Sequence, residues 1–183
     1  MKIDTTTGLL DTARKVQCPN FDDRPDSDDI DLIVVHGISL PPGEYGGPWI
    51  DALFTNCLDP DAHPYFQEIH KLEVSSHLLI RRSGEIVQYV PFHKRAWHAG
   101  QSEFENRQRC NDYSIGIELE GTDDRPYEDE QYRQLANVIN LLCETYPRIN
   151  KQRIAGHSEI APGRKTDPGI AFDWPHLRQL IGA

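Results

Sequence analysis

Between residues 114 and 120, Ile115, Ile117 and Leu119 alternate with Gly116, Glu118 and Glu120. A period of two puts the apolar residues on one face of a β-strand and two carboxylates on the other, which predicts a half-buried strand. A second segment, Leu32-Ile33-Val34-Val35, is apolar throughout and bounded by Asp31 and Gly37. That pattern predicts a short strand buried on both faces, with His36 at its end.

Other periodicities fill in the rest of the chain. Ile50, Leu53, Phe54, Cys57 and Leu58 form one stripe of a helix over 48–58, with Pro48 suited to its first turn. Residues 76–81 and 85–90 flank Arg82-Ser83-Gly84 and predict a β-hairpin. The longest helix is expected over 128–146, where Tyr132, Leu135, Ala136, Ile139, Leu142, Cys143 and Tyr146 recur at helical spacing before Pro147. Its early acids, Glu128, Asp129 and Glu130, complement the helix dipole. A last short helix follows Asp173, an N-cap residue. No internal repeat is visible, and the Pro- and Gly-rich pieces at 41–48 and 161–169 read as shaped loops. The expected architecture is α/β: a single domain over 1–183 with a central mixed β-sheet packed by α-helices. A length of 183 residues with 38% hydrophobic content suits one such core.

Composition excludes several roles. A formal net charge of −10 works against sequence-independent nucleic-acid binding. Basic pairs such as Arg81-Arg82, Lys94-Arg95 and Arg164-Lys165 still leave a small anionic substrate open. The N-terminal residues lack an apolar secretory stretch and no run has the length of a membrane span, so the expectation is a cytosolic protein without membrane contact. Cys18, Cys57, Cys110 and Cys143 are widely scattered with no Cys-x-x-Cys pair, which reads as reduced, mostly buried thiols.

Chemistry concentrates at His36 and in the run from Gly156 to Gly169, which holds His157, Lys165 and Asp167. Two histidines and one carboxylate make a three-ligand catalytic zinc set with a fourth position open to water. Eight histidines are present, so any one alone reads more readily as structural. Pro168 favours an extended Asp167, which keeps Lys165 and Asp167 on the same side of the chain. Zinc so held lowers the pKa of a bound water from about 15.7 towards about 7 and polarises a carbonyl. Glu118, interior to the polar face of the 114–120 strand, is the expected general base. Lys165 would stabilise the oxyanion of a tetrahedral intermediate. Taken alone, either residue would read as half of a surface salt bridge.

Several ordered blocks give the chain a family resemblance. They are Val34-Val35-His36 with residues 38–43, Val74-Ser75-Ser76-His77, residues 95–100, residues 110–121, Gly156-His157 through Gly169, and Phe172-Asp173-Trp174. Together they resemble the AmpD-type zinc N-acetylmuramoyl-L-alanine amidases, which act on anhydro-muropeptides. The resemblance implies one Zn²⁺ per chain held by His36, His157 and Asp167, with Glu118 activating the water and Lys165 stabilising the oxyanion. It implies the fold shared with peptidoglycan-recognition proteins and phage lysozyme-type amidases. It further implies cleavage of the lactyl–L-alanine amide of a small muropeptide substrate in cytosolic peptidoglycan recycling; the protein is separately expected to be a monomer. Within that frame, Arg109 is assigned to a carboxylate contact and Trp97 to the sugar or groove wall. His77 and His98 fit equally as partners of the ligands, orienting groups or packed histidines.

Two positions depart from the family pattern: Gly37 stands where many relatives have Asn, and Glu73 where some carry a basic residue. The rival readings are a non-catalytic recognition module on the same fold and an exported amidase for intact wall. All three ligand candidates are present, which favours the enzyme.

Overall fold

The computed structural model describes residues 1–183. In chain order, four short strands, β1 (Ile3–Asp4), β2 (Leu9–Leu10), β3 (Arg14–Lys15) and β4 (Phe21–Asp23), precede β5 (Leu32–Ile38). Helices α1 (Trp49–Phe54) and α2 (Phe66–Ile69) follow, then β6 (Leu78–Ile80), β7 (Ile86–Gln88), β8 (Lys94–Ala96), β9 (Glu103–Phe104) and β10 (Arg107–Gln108). A 3-10 turn at Cys110–Asp112 leads into β11 (Ser114–Glu120). The chain finishes with α3 (Asp129–Thr145), β12 (Ile154–Gly156), α4 (His157–Ile160) and α5 (Trp174–Ile181).

Six strands make one mixed sheet in the order β12-β5-β11-β6-β7-β3. The first four run parallel, β7 is antiparallel to β6, and β3 is parallel to β7. Alternate residues divide among three apolar clusters, Leu32 and Val34 of β5 joining Tyr113 and Ile160 in the smallest. Ile33 and Val35 of β5, with Ile115, Ile117 and Leu119 of β11, pack against Leu135, Ile139 and Leu142 of α3 and Leu177 of α5. On the other side, Leu79 and Val87 meet Ile50, Leu53 and Phe54 around α1 and Phe66 of α2. This is the expected α/β architecture.

The caps explain where the long helix starts. Gln131 accepts from the Glu128 backbone N–H at 3.0 Å, half of a capping box. The same buried Gln131 side chain donates to the carbonyls of Ile80 and Glu120, tying α3 to the sheet. Asp173 caps α5 by accepting from the His176 N–H at 2.9 Å.

Three expectations need correcting. β11 is buried along its whole length, not half-buried, because β5 and β6 pair with both its edges and its carboxylate face is covered. Glu120 there accepts from Arg81 at 2.9 Å and from the Gly46 N–H at 2.7 Å, partners that make burying the charge tolerable. β5 does not stop at His36; pairing with β11 carries it through Gly37 to Ile38. The helix predicted over 48–58 is only Trp49–Phe54, since the chain turns at Asn56 in a left-handed conformation (φ 59°), and Cys57 is consequently exposed.

Candidate metal centre

Strand register does the first part of the assembly. His36 on β5 and Glu118 on β11 are direct partners in a parallel pair, so their side chains share one face of the sheet. On the other side of β5, Gly156 of β12 lies opposite Val35, and the next residue, His157, opens α4. The Ser158 N–H donates to the Asp167 carbonyl at 2.9 Å, folding the 161–169 loop back over the start of that helix.

Three donor atoms converge as a result. His36 Nδ1 and His157 Nδ1 lie 3.0 Å apart. Asp167 Oδ2 lies 3.0 Å from His157 Nδ1 and 3.2 Å from His36 Nδ1. Zinc bonds of about 2.0–2.2 Å at tetrahedral angles put ligand atoms about 3.3 Å apart, close to this triangle. His36, His157 and Asp167 thus form a metal-competent cluster.

Protonation fits the same purpose. His157 Nε2 faces the Ala99 carbonyl at 3.3 Å, and a carbonyl only accepts, so Nε2 carries the proton and Nδ1 presents a lone pair. Burial lowers the His36 pKa to about 4, against the opposing pull of Asp167, which leaves the ring neutral as a ligand must be. Two imidazole nitrogens and one carboxylate are a donor set suited to a divalent ion.

Glu118 stands apart from the cluster in its bonding. Its Oε2 is buried without any hydrogen-bond partner. Burial, reinforced by the charge of Asp167, raises its pKa well above the ordinary value, while Lys165 pulls the other way. A cavity of about 280 Å³ is lined by His36, Glu118, His157, Asp167 and the exposed Lys165. Leu53, Phe54, Tyr65, Ile69 and Leu72 give it an apolar wall, and Trp97 also lines it.

Arg109 lies elsewhere. It borders a separate cavity of about 570 Å³ with Gln101, Ser102 and Arg164; its side chain is 71% exposed and pairs with Asp112 at 3.1 Å. His77 is a packed histidine: Nδ1 accepts from the Gly116 N–H at 3.0 Å and Nε2 faces the Lys94 carbonyl at 3.0 Å. His98 instead touches a cluster member, with Nδ1 at 2.9 Å from His36 Nε2.

Sequence reasoning passed over Arg24, a buried guanidinium that donates to the carbonyls of Asn111, Asp112, Phe92 and Ser114. Burial lowers its pKa to about 10. Nothing in its surroundings in the sequence marks it, because its partners come from two distant segments, Phe92 and residues 111–114.

The sequence profile of the N-acetylmuramoyl-L-alanine amidases matches residues 26–170. The chain belongs to this family. The 1,6-anhydro-N-acetylmuramyl-L-alanine amidase AmpD of Salmonella typhimurium is 63% identical over 174 residues, covering 95% of this chain and 92% of the relative. A selenomethionine derivative of AmpD superimposes with a TM-score of 0.95 at 61% identity, covering 99% of both chains. The N-acetylmuramyl-L-alanine amidase AmiD of Escherichia coli, in complex with anhydro-N-acetylmuramic acid-L-Ala-D-γ-Glu-L-Lys, matches with a TM-score of 0.61 at 29% identity. That match covers 97% of this chain and 65% of AmiD. This family member is an amidase, an enzyme that hydrolyses an amide bond.

Proposed function

We propose that residues 1–183 form one amidase domain that uses zinc, held by His36, His157 and Asp167, to cleave the lactyl–L-alanine amide of 1,6-anhydro-N-acetylmuramyl peptides. The observation that carries this reading is the triangle of His36 Nδ1, His157 Nδ1 and Asp167 Oδ2, with edges of 3.0, 3.0 and 3.2 Å beside a cavity that Glu118 also lines. The 63% identity to AmpD supports the anhydro-muropeptide as substrate.

Zinc, when bound, supplies Lewis-acid polarisation of the carbonyl and of the attacking water. Glu118, with its free Oε2, takes a proton from that water and returns it to the leaving L-alanine nitrogen. Lys165 places positive charge against the carbonyl oxygen as it becomes anionic. The apolar wall from Leu53 to Leu72 restricts water around this step, which strengthens both interactions. Trp97 flanks the sugar, and Arg109, outside the cavity, takes a carboxylate of the peptide.

We place the reaction in the cytosol, on small turnover products, with the protein acting as a monomer; every residue of the cluster comes from one chain. No helix is long and apolar enough to cross a membrane. The test is incubation of the purified protein with anhydro-muropeptide, before and after chelation, with mass spectrometry of the products. Separate sugar and peptide, lost on chelation and restored by zinc, is the expected result. Intact substrate in the presence of zinc would overturn the reading.

A further inference from the structure

We propose that His98 is a positioning residue that sets the tautomer of His36, and that the adjoining Ala99 carbonyl does the same for His157. This rests on the reading of His36, His157 and Asp167 as metal ligands.

The direction of the hydrogen bonds follows from the far end of the chain of contacts. Ser114 Oγ lies 2.5 Å from the Cys110 carbonyl, which only accepts, so the hydroxyl proton is directed there. His98 Nε2, 3.1 Å from the same Oγ, must then donate to it, which leaves His98 Nδ1 with a lone pair. His36 Nε2, 2.9 Å away, donates to that lone pair. His36 therefore turns a bare Nδ1 towards His157 and Asp167, where the opposite tautomer would put a hydrogen in the place of the ion.

The ring is held in that orientation. The N–H groups of His98 and Ala99 both donate to Asn111 Oδ1, at 3.1 and 2.8 Å. Residue 116 is glycine, and a Cβ there would overlap the His98 ring. With Ala99 O accepting from His157 Nε2 at 3.3 Å, one two-residue segment serves both imidazoles. Groups that fix a metal ligand's second ring nitrogen are commonly carboxylates, carbonyls or waters. Here one of the two is a neutral imidazole, itself oriented by a serine.

Two measurements test this. Long-range ¹H–¹⁵N spectra of the metal-free wild type should show His36, His157 and His98 each protonated on Nε2. Zinc affinity is then measured by competition with a chromophoric chelator for the wild type, His98→Leu, His98→Asn and Ser114→Ala. His98→Leu removes the acceptor and should weaken binding by about 10–100-fold. Ser114→Ala should weaken it as well, because it releases the His98 proton to Nδ1. His98→Asn restores an acceptor at the Nδ1 position and should bind nearly as the wild type does. His36 protonated on Nδ1 in the wild-type spectrum would overturn the inference without any variant, as would His98→Leu binding like the wild type or His98→Asn binding no better than His98→Leu. A wild type that binds no zinc would sink the metal reading itself.

Discussion

His36 and Glu118 sit side by side across β5 and β11, yet their bonding is opposite: both His36 nitrogens have close partners, while Glu118 Oε2 has none. One strand delivers an imidazole already oriented, and its neighbour delivers a carboxylate with an open oxygen. An unpartnered buried carboxylate is a cost to the fold, and under the proposed mechanism that cost serves catalysis.

Glu118→Gln should therefore lower kcat by about 10²-fold or more while leaving the metal bound. Metal-free stability should move the other way. The folded pKa of Glu118 is raised, so the folded state binds more protons than the unfolded state between the ordinary value and the raised one, and stability falls as pH climbs through that window. Above it, removing the charge should stabilise the metal-free protein by about 1–3 kcal/mol, the usual cost of an unsatisfied buried group. Melting curves across pH check this; a variant no more stable than wild type at the alkaline end would show that the carboxylate carries no such cost.

Metal removal bears on the ligand triangle directly. Three lone-pair-bearing atoms within 3.2 Å of one another repel, and a cation between them relieves that repulsion. Saturating zinc should stabilise the fold by what mass action gives, about 4 kcal/mol at a thousandfold excess over Kd, and so raise the melting temperature. Asp167→Ala should abolish that response. Coincident melts with zinc and with chelator would contradict the assignment.

Lys165→Ala tests the oxyanion role. If the ammonium acts only as charge develops, kcat should fall by about 10²-fold with KM nearly unchanged. A raised KM with kcat preserved would instead mark Lys165 as a ground-state binding residue.

What could be read in the sequence was what depends on local period. The alternation in β11, the stripe of α3 from Tyr132 to Leu142 and the Asp173 cap are set within a few residues, and all form. The proximity of His157 and Asp167 was legible for the same reason, being a loop's length apart. Burial of β11's second face was not, because Arg81, which pairs with Glu120, arrives from a hairpin. Nor was the contact of His98 with His36, which exists only once β11 has placed Ser114 behind the ring. Single-strand pattern shows which face is polar; only register shows what covers it.

Gly37 is the clearest case of a residue whose meaning lies in another element. A Cβ at position 37 would collide with the Tyr127 hydroxyl, which donates to the Pro168 carbonyl at 2.9 Å and so braces the residue next to Asp167. The Tyr127 ring packs edge-on against Tyr132 and Phe172, which hold it in place. Gly37→Ala should thus destabilise the protein by about 1–3 kcal/mol through overpacking. Tyr127→Phe removes the colliding atom, so the double variant should recover part of that loss, a coupling measurable by a double-mutant cycle in denaturant. Additive effects of the two substitutions would mean that residue 37 and Tyr127 do not compete for the same space, and the departure at Gly37 would need another cause.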